Sequence, residues 1–441
     1  MTRSRFGLGI FGLIVGLILG ILLTRFSPSH RQPIEPGKSL ADQEESKSII
    51  PGRWREATNS MGERSDRSKL KSEIERLESL GYLAGSRLAS RDGGVAVYDI
   101  EKAYKGLNLT VSGHAPEAFL MDMSGAILHK WRCEIRGAWP DFKIEDNPGK
   151  LLNYTFWRRA RLMPNGDLFA IFERIGLIKL DKQSKLLWAS RNRAHHDLDI
   201  DKNGNIYVLT GQAHVNEEYN SKQPIWEDYI SVLDPQGREL KKVSVLKALQ
   251  NSEYASVVNK APPAGDLLHT NTIEFIEELP DNRPTPFKKG TVLIAILYLD
   301  LVCAVDLEEQ KVYWAESDFW HREHQPILLA NGNILVLDNR RGKDISAVVE
   351  LNPLSRQVEW SYVGGRDGIF YTETCGSCQR LLNGNTLITE SDAGRAFEVT
   401  RDKQIVWEFV SPYRTGAQRT LVATLFEIVR MEEDVAAEWL R

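Results

Sequence analysis

Cysteine is scarce, with four in 441 residues, too few to staple a chain of this size into a disulfide scaffold. An excess of basic charge is missing too. With 56 basic against 60 acidic residues the formal charge is -4, so the positive field that nucleic-acid binding requires is absent and that class is set aside. No Walker-type phosphate loop occurs, which removes the usual cradle for a nucleotide donor. What is present is 42% hydrophobic content, enough for a large core.

One long apolar run stands at the N-terminus, FGLGIFGLIVGLILGILL over residues 6–23, just long enough to span hydrocarbon as a helix. It exceeds the core of a typical signal peptide, and no A-x-A site follows. An uncleaved signal anchor over 1–26 is therefore expected, with the body exported to the periplasm or extracytoplasmic space. Gly12, Gly16 and Gly20 recur every fourth residue, which would let two such helices approach as a homodimer. Residues 27–93 read as a polar linker carrying a short amphipathic helix over 66–81, where Leu70, Ile74, Leu77 and Leu80 share a face before Gly81.

From residue 94 to 430 one pattern returns: an apolar strand, an Asn-Gly turn, a second strand, a short turn, and a strand ending in Trp. The turns lie in LMPNGDLFAIF, DKNGNIYVL, LANGNILVLD and LLNGNTLITE; the closing tryptophans are Trp131, Trp188, Trp314, Trp360 and Trp407. A further copy, ISVLDPQGRELKKV, lacks the Trp. Six antiparallel units, with tryptophans 46 or 47 residues apart in the cleanest copies, predict an all-β, six-bladed β-propeller. The tryptophans are expected in the seams between blades. GVAVYD near residue 94, or TLVATLFEIV near residue 420, should close the ring, leaving 431–441 as a tail.

HHDLDIDKNGN, residues 195–205, sits on one of these turns. Asp199, Asp201, Asn203 and Gly204 match the first half of an EF-hand loop, but Thr210 stands where the bidentate Glu belongs, so the segment reads as a turn. Its histidine is another matter. His196, His324 and Arg158 each lie seven residues before the Asn of their turn, and His269 aligns with them through the apolar residue four positions on. Blades begin with their innermost strand, so three of the nine histidines should converge on one mouth of the central channel. Such a triad suits zinc or copper, or a nucleophile with assisting bases. His321 and His324 in HREH lie between strands and should point different ways. Cys375 and Cys378, in CGSC, are expected to form a local disulfide, with Cys133 and Cys303 buried in strands.

The contexts HHDLDIDKNGNIYVL, LLHTNTIEF, HREHQPILLANGNILVLDN and QRLLNGNTLITESDAGRAFEVT resemble the arylsulfate sulfotransferase family over about residues 94–430. The resemblance implies an exported six-bladed propeller that moves a sulfuryl group from aryl sulfates to phenols through a sulfohistidine, with no nucleotide donor and no cofactor. It implies His324 as nucleophile, with His196 and His269 contacting sulfuryl oxygens or assisting proton transfer. The chain departs from the family at its sulfuryl-gripping arginine. In TVLIAILYLDLVCAVD, Ala295 and Leu297 stand where Ser-x-Arg is usual, and Arg158, in channel register on another blade, is the replacement expected, ahead of Arg322 and Arg380. The rival readings are a non-catalytic propeller acting as a membrane-anchored scaffold, because LDKQSKLLW and VDLEEQKVYW also resemble quinoprotein-like repeats, and a quinone-cofactor dehydrogenase, for which no metal-binding carboxylate set is evident.

Overall fold

The structure, a computed structural model, describes residues 87–88, 93–144, 153–281, 283–317, 319–340, 345–365, 368–415, 421–436 and 438–440. The expected membrane helix, its glycine face and the helix over 66–81 lie outside these residues. Among the described residues no helix is long and apolar enough to cross a membrane.

Six antiparallel sheets form the six blades of a propeller. The second blade runs Arg159–Leu162, Leu168–Phe172, Gly176–Leu180 and Leu186–Ser190; the third begins with Ala194–Ile200, the fourth with Thr270–Phe275, the fifth with His324–Leu328 and the sixth with Ser377–Arg380. Both expected ring closures occur. Leu425–Met431 pairs with Leu107–Ser112 as the inner strand of the first blade, and Gly94–Tyr98 pairs with Ile405–Val410 on the outside of the sixth. The two ends of the chain thus lock different blades.

Burial grades outward as blade packing requires. The second strands LNLTVS, LFAIF, VLIAI, ILVLD and TLITE are buried along their whole length, since each faces a neighbouring blade on both sides. The outer strand ILHKWR is largely exposed except at Trp131, and VEWSY is exposed at Val358 and Glu359 but buried at Trp360 and Tyr362. Those indoles fill the seams, and four donate to a turn of the next blade: Trp131 to Gly166 O at 3.1 Å, Trp188 to Pro235 O at 3.1 Å, Trp360 to Arg401 O at 2.9 Å and Trp407 to Met123 O at 2.9 Å. The same contact thus recurs around the ring. Trp131→Ala is expected to cost about 3–5 kcal/mol, the range for a large buried aromatic, as read by a lower denaturant midpoint with unchanged slope.

Residues after Met431 do not trail away. A 3-10 turn at Glu433–Ala436 brings Trp439 against Trp131, with ring centroids 5.6 Å apart.

The innermost strand of each blade is a free edge, and its backbone N–H groups need partners. Neighbouring blades supply them. Asp199 accepts from Phe275 N at 2.8 Å, Glu274 from Leu328 N at 2.8 Å, Thr272 Oγ1 from Gln325 N at 3.2 Å and Gln379 from Arg430 N at 2.9 Å. On the axis Arg159 and Arg161 are both paired with Asp197 and Glu427, at 2.6–3.0 Å. This plug joins the first three blades, and its Asp197 stands on the strand that carries His195 and His196. The Asn-Gly segment is the turn expected: Asp201 Oδ1 accepts from Asn203 N and Asn205 N.

The CGSC expectation is corrected. Cys375 and Cys378 are both free and buried. Cys375 packs with Trp157, Phe156 and Phe426 of the first two blades, whereas Cys378 packs with Leu337, Trp360 and Phe397 between the fifth and sixth. The chain turns through a left-handed Cys375 (φ 55°) and Gly376 (φ 104°), and the thiols enter separate seams.

Candidate functional site

The sequence register converts into geometry through β-bulges. In the third, fourth and fifth blades the ladder between first and second strands slips, between Ala194 and Leu198, Thr270 and Thr272, and His324 and Ile327; in the second and sixth it runs without a slip. An extra residue re-aims a side chain; the inner ladder of the first blade slips as well, between Val111 and Ser112, so the bulge accompanies the histidine blades without being confined to them. Backbone strain marks the same rim. His196, His269, Arg174, Arg322 and Gln325 are all left-handed, at φ 50–63°, a conformation that non-glycine residues hold only where their surroundings enforce it.

His196 and His269 meet with ring centroids 5.1 Å apart. His324 lies within electrostatic range of His269 and of the Arg158 charge, and His196 within range of Arg158 too. The three histidines and Arg158 read from the sequence are therefore brought together. Arg380 is not with them, being held by Glu350 at 2.8 Å over Trp360 in a seam. Arg322 lies at the edge, over Tyr298 at 5.0 Å. His321 pairs with Asp300 at 3.0 Å and is 44% exposed, so it faces away from buried His324, as its position between strands suggested.

Hydrogen bonds set the imidazole tautomers. His324 Nδ1 lies 2.7 Å from Asn339 Oδ1 and 3.1 Å from Arg322 O, and Asn339 Nδ2 donates to Thr372 O and Cys375 O. Two acceptors around Nδ1 place the proton there, so Nε2 carries the lone pair. His269 Nδ1 likewise donates to Asp266 Oδ2 at 2.7 Å. Burial holds the rings neutral: His324 and His195 are pushed down to about 3, His196 well below its ordinary value, and His269 down despite Asp266.

These depressed values have a stability consequence. Below about pH 6.5 the unfolded chain protonates its histidines while the folded chain does not, so the unfolded state binds more protons and stability falls with pH. For His324 and His195 that loss continues until about pH 3, at a limiting slope of about 1.4 kcal/mol per pH unit for each ring. Urea unfolding between pH 7.5 and 5 should show falling stability, and a shallower slope in His195→Asn.

Several partners went unread in the sequence. Glu173 accepts from His196 N at 3.1 Å; Asp228 Oδ1 lies 3.5 Å from His195 Nε2; Arg174 lies over Trp226 at 3.8 Å; Asp266 and Asn339 orient two of the rings. A signal existed for two of them: Glu173 and Asn339 each stand eight residues after the Asn of their turn, at the mouth end of the second strand. Asp266 and Trp226 belong to an extension of the third blade, where Ile225 and Trp226 pair in parallel with Gly265 and Asp266, and no repeat register reaches them.

Glu173, His195 and His196 offer ligand atoms within 4.8 Å of one another, the one such group among the described residues. Two guanidiniums oppose a dication there. Arg158 Nε is 3.9 Å from Glu173, and the charge of Arg174 bears on both imidazoles, so a cation held there would meet like charge. Glu173 serves instead as counter-charge to the arginines. Arg158 is 2% exposed, and its Nε and Nη1 have no hydrogen-bond acceptor. Buried guanidinium N–H groups left in that state are set for an anion. A separate cavity of about 550 Å3, lined by Tyr254, Lys260, Trp314 and Arg356, contains none of these groups.

Fold and site together define a β-propeller with a buried cluster of histidines and arginines at the starts of its inner strands. The chain belongs to the arylsulfotransferase (ASST) family, whose model matches residues 160–412. Curated proteins give no match. Among solved structures the chain is similar to a protein of unknown function from Bacteroides caccae (13% identity, 74% of this chain and 98% of that one, TM-score 0.47). It is also similar to the WD40 propeller domain of Doa1 (11%, 79% and 96%, TM-score 0.40) and to the Myceliophteria thermophila Cps50 (Swd1) propeller domain (10%, 78% and 99%, TM-score 0.43). These likenesses are too distant to bear on function.

Proposed function

We propose that the protein transfers a sulfuryl group from an aryl sulfate to a phenolic acceptor by a two-step exchange on His324, without a nucleotide donor. The observation that carries this reading is the fixed tautomer of His324, with Nδ1–H held by Asn339 and the Nε2 lone pair free for attack. In the first step Nε2 forms an N–S bond, the S–O bond to the aryl group breaks, and the electron pair leaves with the phenolate. In the second, His269, oriented by Asp266, takes the acceptor's proton; the phenoxide forms the new S–O bond and the N–S pair returns to Nε2. The accepted proton neutralises the departing phenolate, so no net acid or base is consumed.

Arg158 supplies the positive charge that the family places at the position of Leu297 here. Leu297 is apolar and half-buried, and Ala295, where the serine of the pattern would stand, is fully buried opposite Val302, so neither offers a polar group. Because the transferring group carries three oxygens and a negative charge, guanidinium N–H groups aimed at it stabilise the transition state more than the ground state. Export of the propeller, tethered by the N-terminal apolar run, completes the proposal. The test is steady-state kinetics of the full-length protein with 4-nitrophenyl sulfate and phenol. Release of 4-nitrophenolate that depends on phenol, yields phenyl sulfate and ignores added nucleotide supports the reading; hydrolysis alone, or no release, rejects it.

A further inference from the structure

We propose that Asp392 of the sixth blade is the remote carboxylate partner of His324, a positioning residue that acts on the Nδ1 proton through one peptide unit and the Asn339 amide. The inference rests on the proposed role of His324, but the link itself can be read without turnover.

Every contact in the series is a hydrogen bond. Asp392 stands in the 3-10 turn Ser391–Ala393 after the sixth blade's second strand, and it is 2% exposed. Its Oδ2 accepts from Glu373 N at 2.7 Å and from Thr374 N at 3.1 Å, and its Oδ1 accepts from Thr374 Oγ1 at 3.0 Å. Glu373 N and Thr372 O are the two ends of one peptide bond. Thr372 O accepts from Asn339 Nδ2 at 2.8 Å, and Asn339 Oδ1 lies 2.7 Å from His324 Nδ1. Two planar amides therefore stand in series between a carboxylate and the nucleophilic ring, each donating at one end and accepting at the other.

Amide resonance gives this series a direction. A carboxylate drawn against a peptide N–H pushes electron density onto the carbonyl oxygen of the same peptide, and that stronger acceptor does the same to the Asn339 amide. The negative charge of Asp392 thus reaches His324 as a more basic amide oxygen, which stabilises the positive ring formed when Nε2 attacks sulfur. The second Asn339 Nδ2 hydrogen goes to Cys375 O at 2.8 Å. With both N–H groups taken by carbonyls, Oδ1 is the end that faces the imidazole. The loop that presents those carbonyls is itself tied down: Thr372 Oγ1 donates to Thr374 O at 2.7 Å and Thr372 N to Ser346 Oγ at 3.0 Å. Asn339, Ser346 and Thr372 are fully buried, so solvent does not screen the series.

Heteronuclear NMR of the full-length protein, isotopically labelled at histidine, tests this together with steady-state kinetics. Asp392→Asn, close in shape but neutral, should move the Nδ1 proton of His324 upfield. It should also lower kcat for 4-nitrophenyl sulfate by about 10-fold or more with KM unchanged, as loss of an outer partner of an imidazole does. In an Asn339→Ala background the same substitution should cost nothing further, because the link is already cut. An unmoved Nδ1 proton in folded Asp392→Asn, or an equal loss of kcat in both backgrounds, overturns the link. Should Asp392→Asn not fold, the parent protein decides: the Glu373 amide proton, held by a carboxylate, should resonate well downfield of ordinary amides, and an ordinary position overturns the link. A parent protein that transfers no sulfuryl group, but whose His324 proton still moves in Asp392→Asn, would reject the proposed reaction and leave the link standing.

Discussion

His324→Ala is expected to lower aryl sulfate turnover by at least about 10^4-fold, as loss of a covalent nucleophile does elsewhere, with little change in the affinity of inorganic sulfate. The size follows from the role. His324 is the ring whose Nδ1 proton is held by neutral acceptors, Asn339 Oδ1 and Arg322 O, which fix the tautomer and support the positive ring formed on attack without drawing the proton away. The lone pair is committed to attack and not to proton transfer. The fold should survive, because the ring is one contact in a sheet of four strands; leaving Asn339 Oδ1 without its donor costs about 1–3 kcal/mol. Added imidazole, able to occupy the vacated space, should restore part of the rate. A variant that retains more than a hundredth of the parental rate contradicts the assignment.

Arg158→Ala should lower kcat/KM by about 10^2- to 10^3-fold, the range for removing a preorganised donor to a developing negative charge. Arg158→Lys should recover little of it, since an ammonium cannot present two parallel N–H groups. Part of the effect is packing, because the guanidinium lies 4.9 Å from the centre of the Phe426 ring. The thermal midpoint of the variant separates the two contributions. Glu173 gives the opposite sign of control: with no counter-charge, Glu173→Gln should tighten sulfate while slowing product release. A rate unchanged in Arg158→Ala removes the arginine from the account.

The architecture was legible because a propeller repeats its demands. Each outer strand needs a bulky group to cover the next blade, and Trp131, Trp188, Trp360 and Trp407 meet that need with the same indole-to-carbonyl bond. Register carried the placement of the candidate residues as well, since counting back from the Asn-Gly turns sets Arg158, His196 and His324 at or beside the starts of three inner strands. What stayed hidden has a common physical cause. Arg174 sits in a hairpin turn whose left-handed backbone no pattern announces, Trp226 lies in space left by a missing Cβ at Gly211, and Asp266 arrives on a parallel strand after an insertion. The cysteines misled for a related reason. CGSC has the spacing of a disulfide, but Gly376 turns the chain so that the two thiols enter different seams.

The most direct measurement is the intact mass of the full-length protein, rapidly quenched in alkali after mixing with 4-nitrophenyl sulfate in the absence of acceptor. A gain of one SO3, mapped by fragmentation to His324 and lost when phenol is added, is the expected result. An unmodified protein during active turnover, or a sulfuryl group mapped to another residue, would contradict the account.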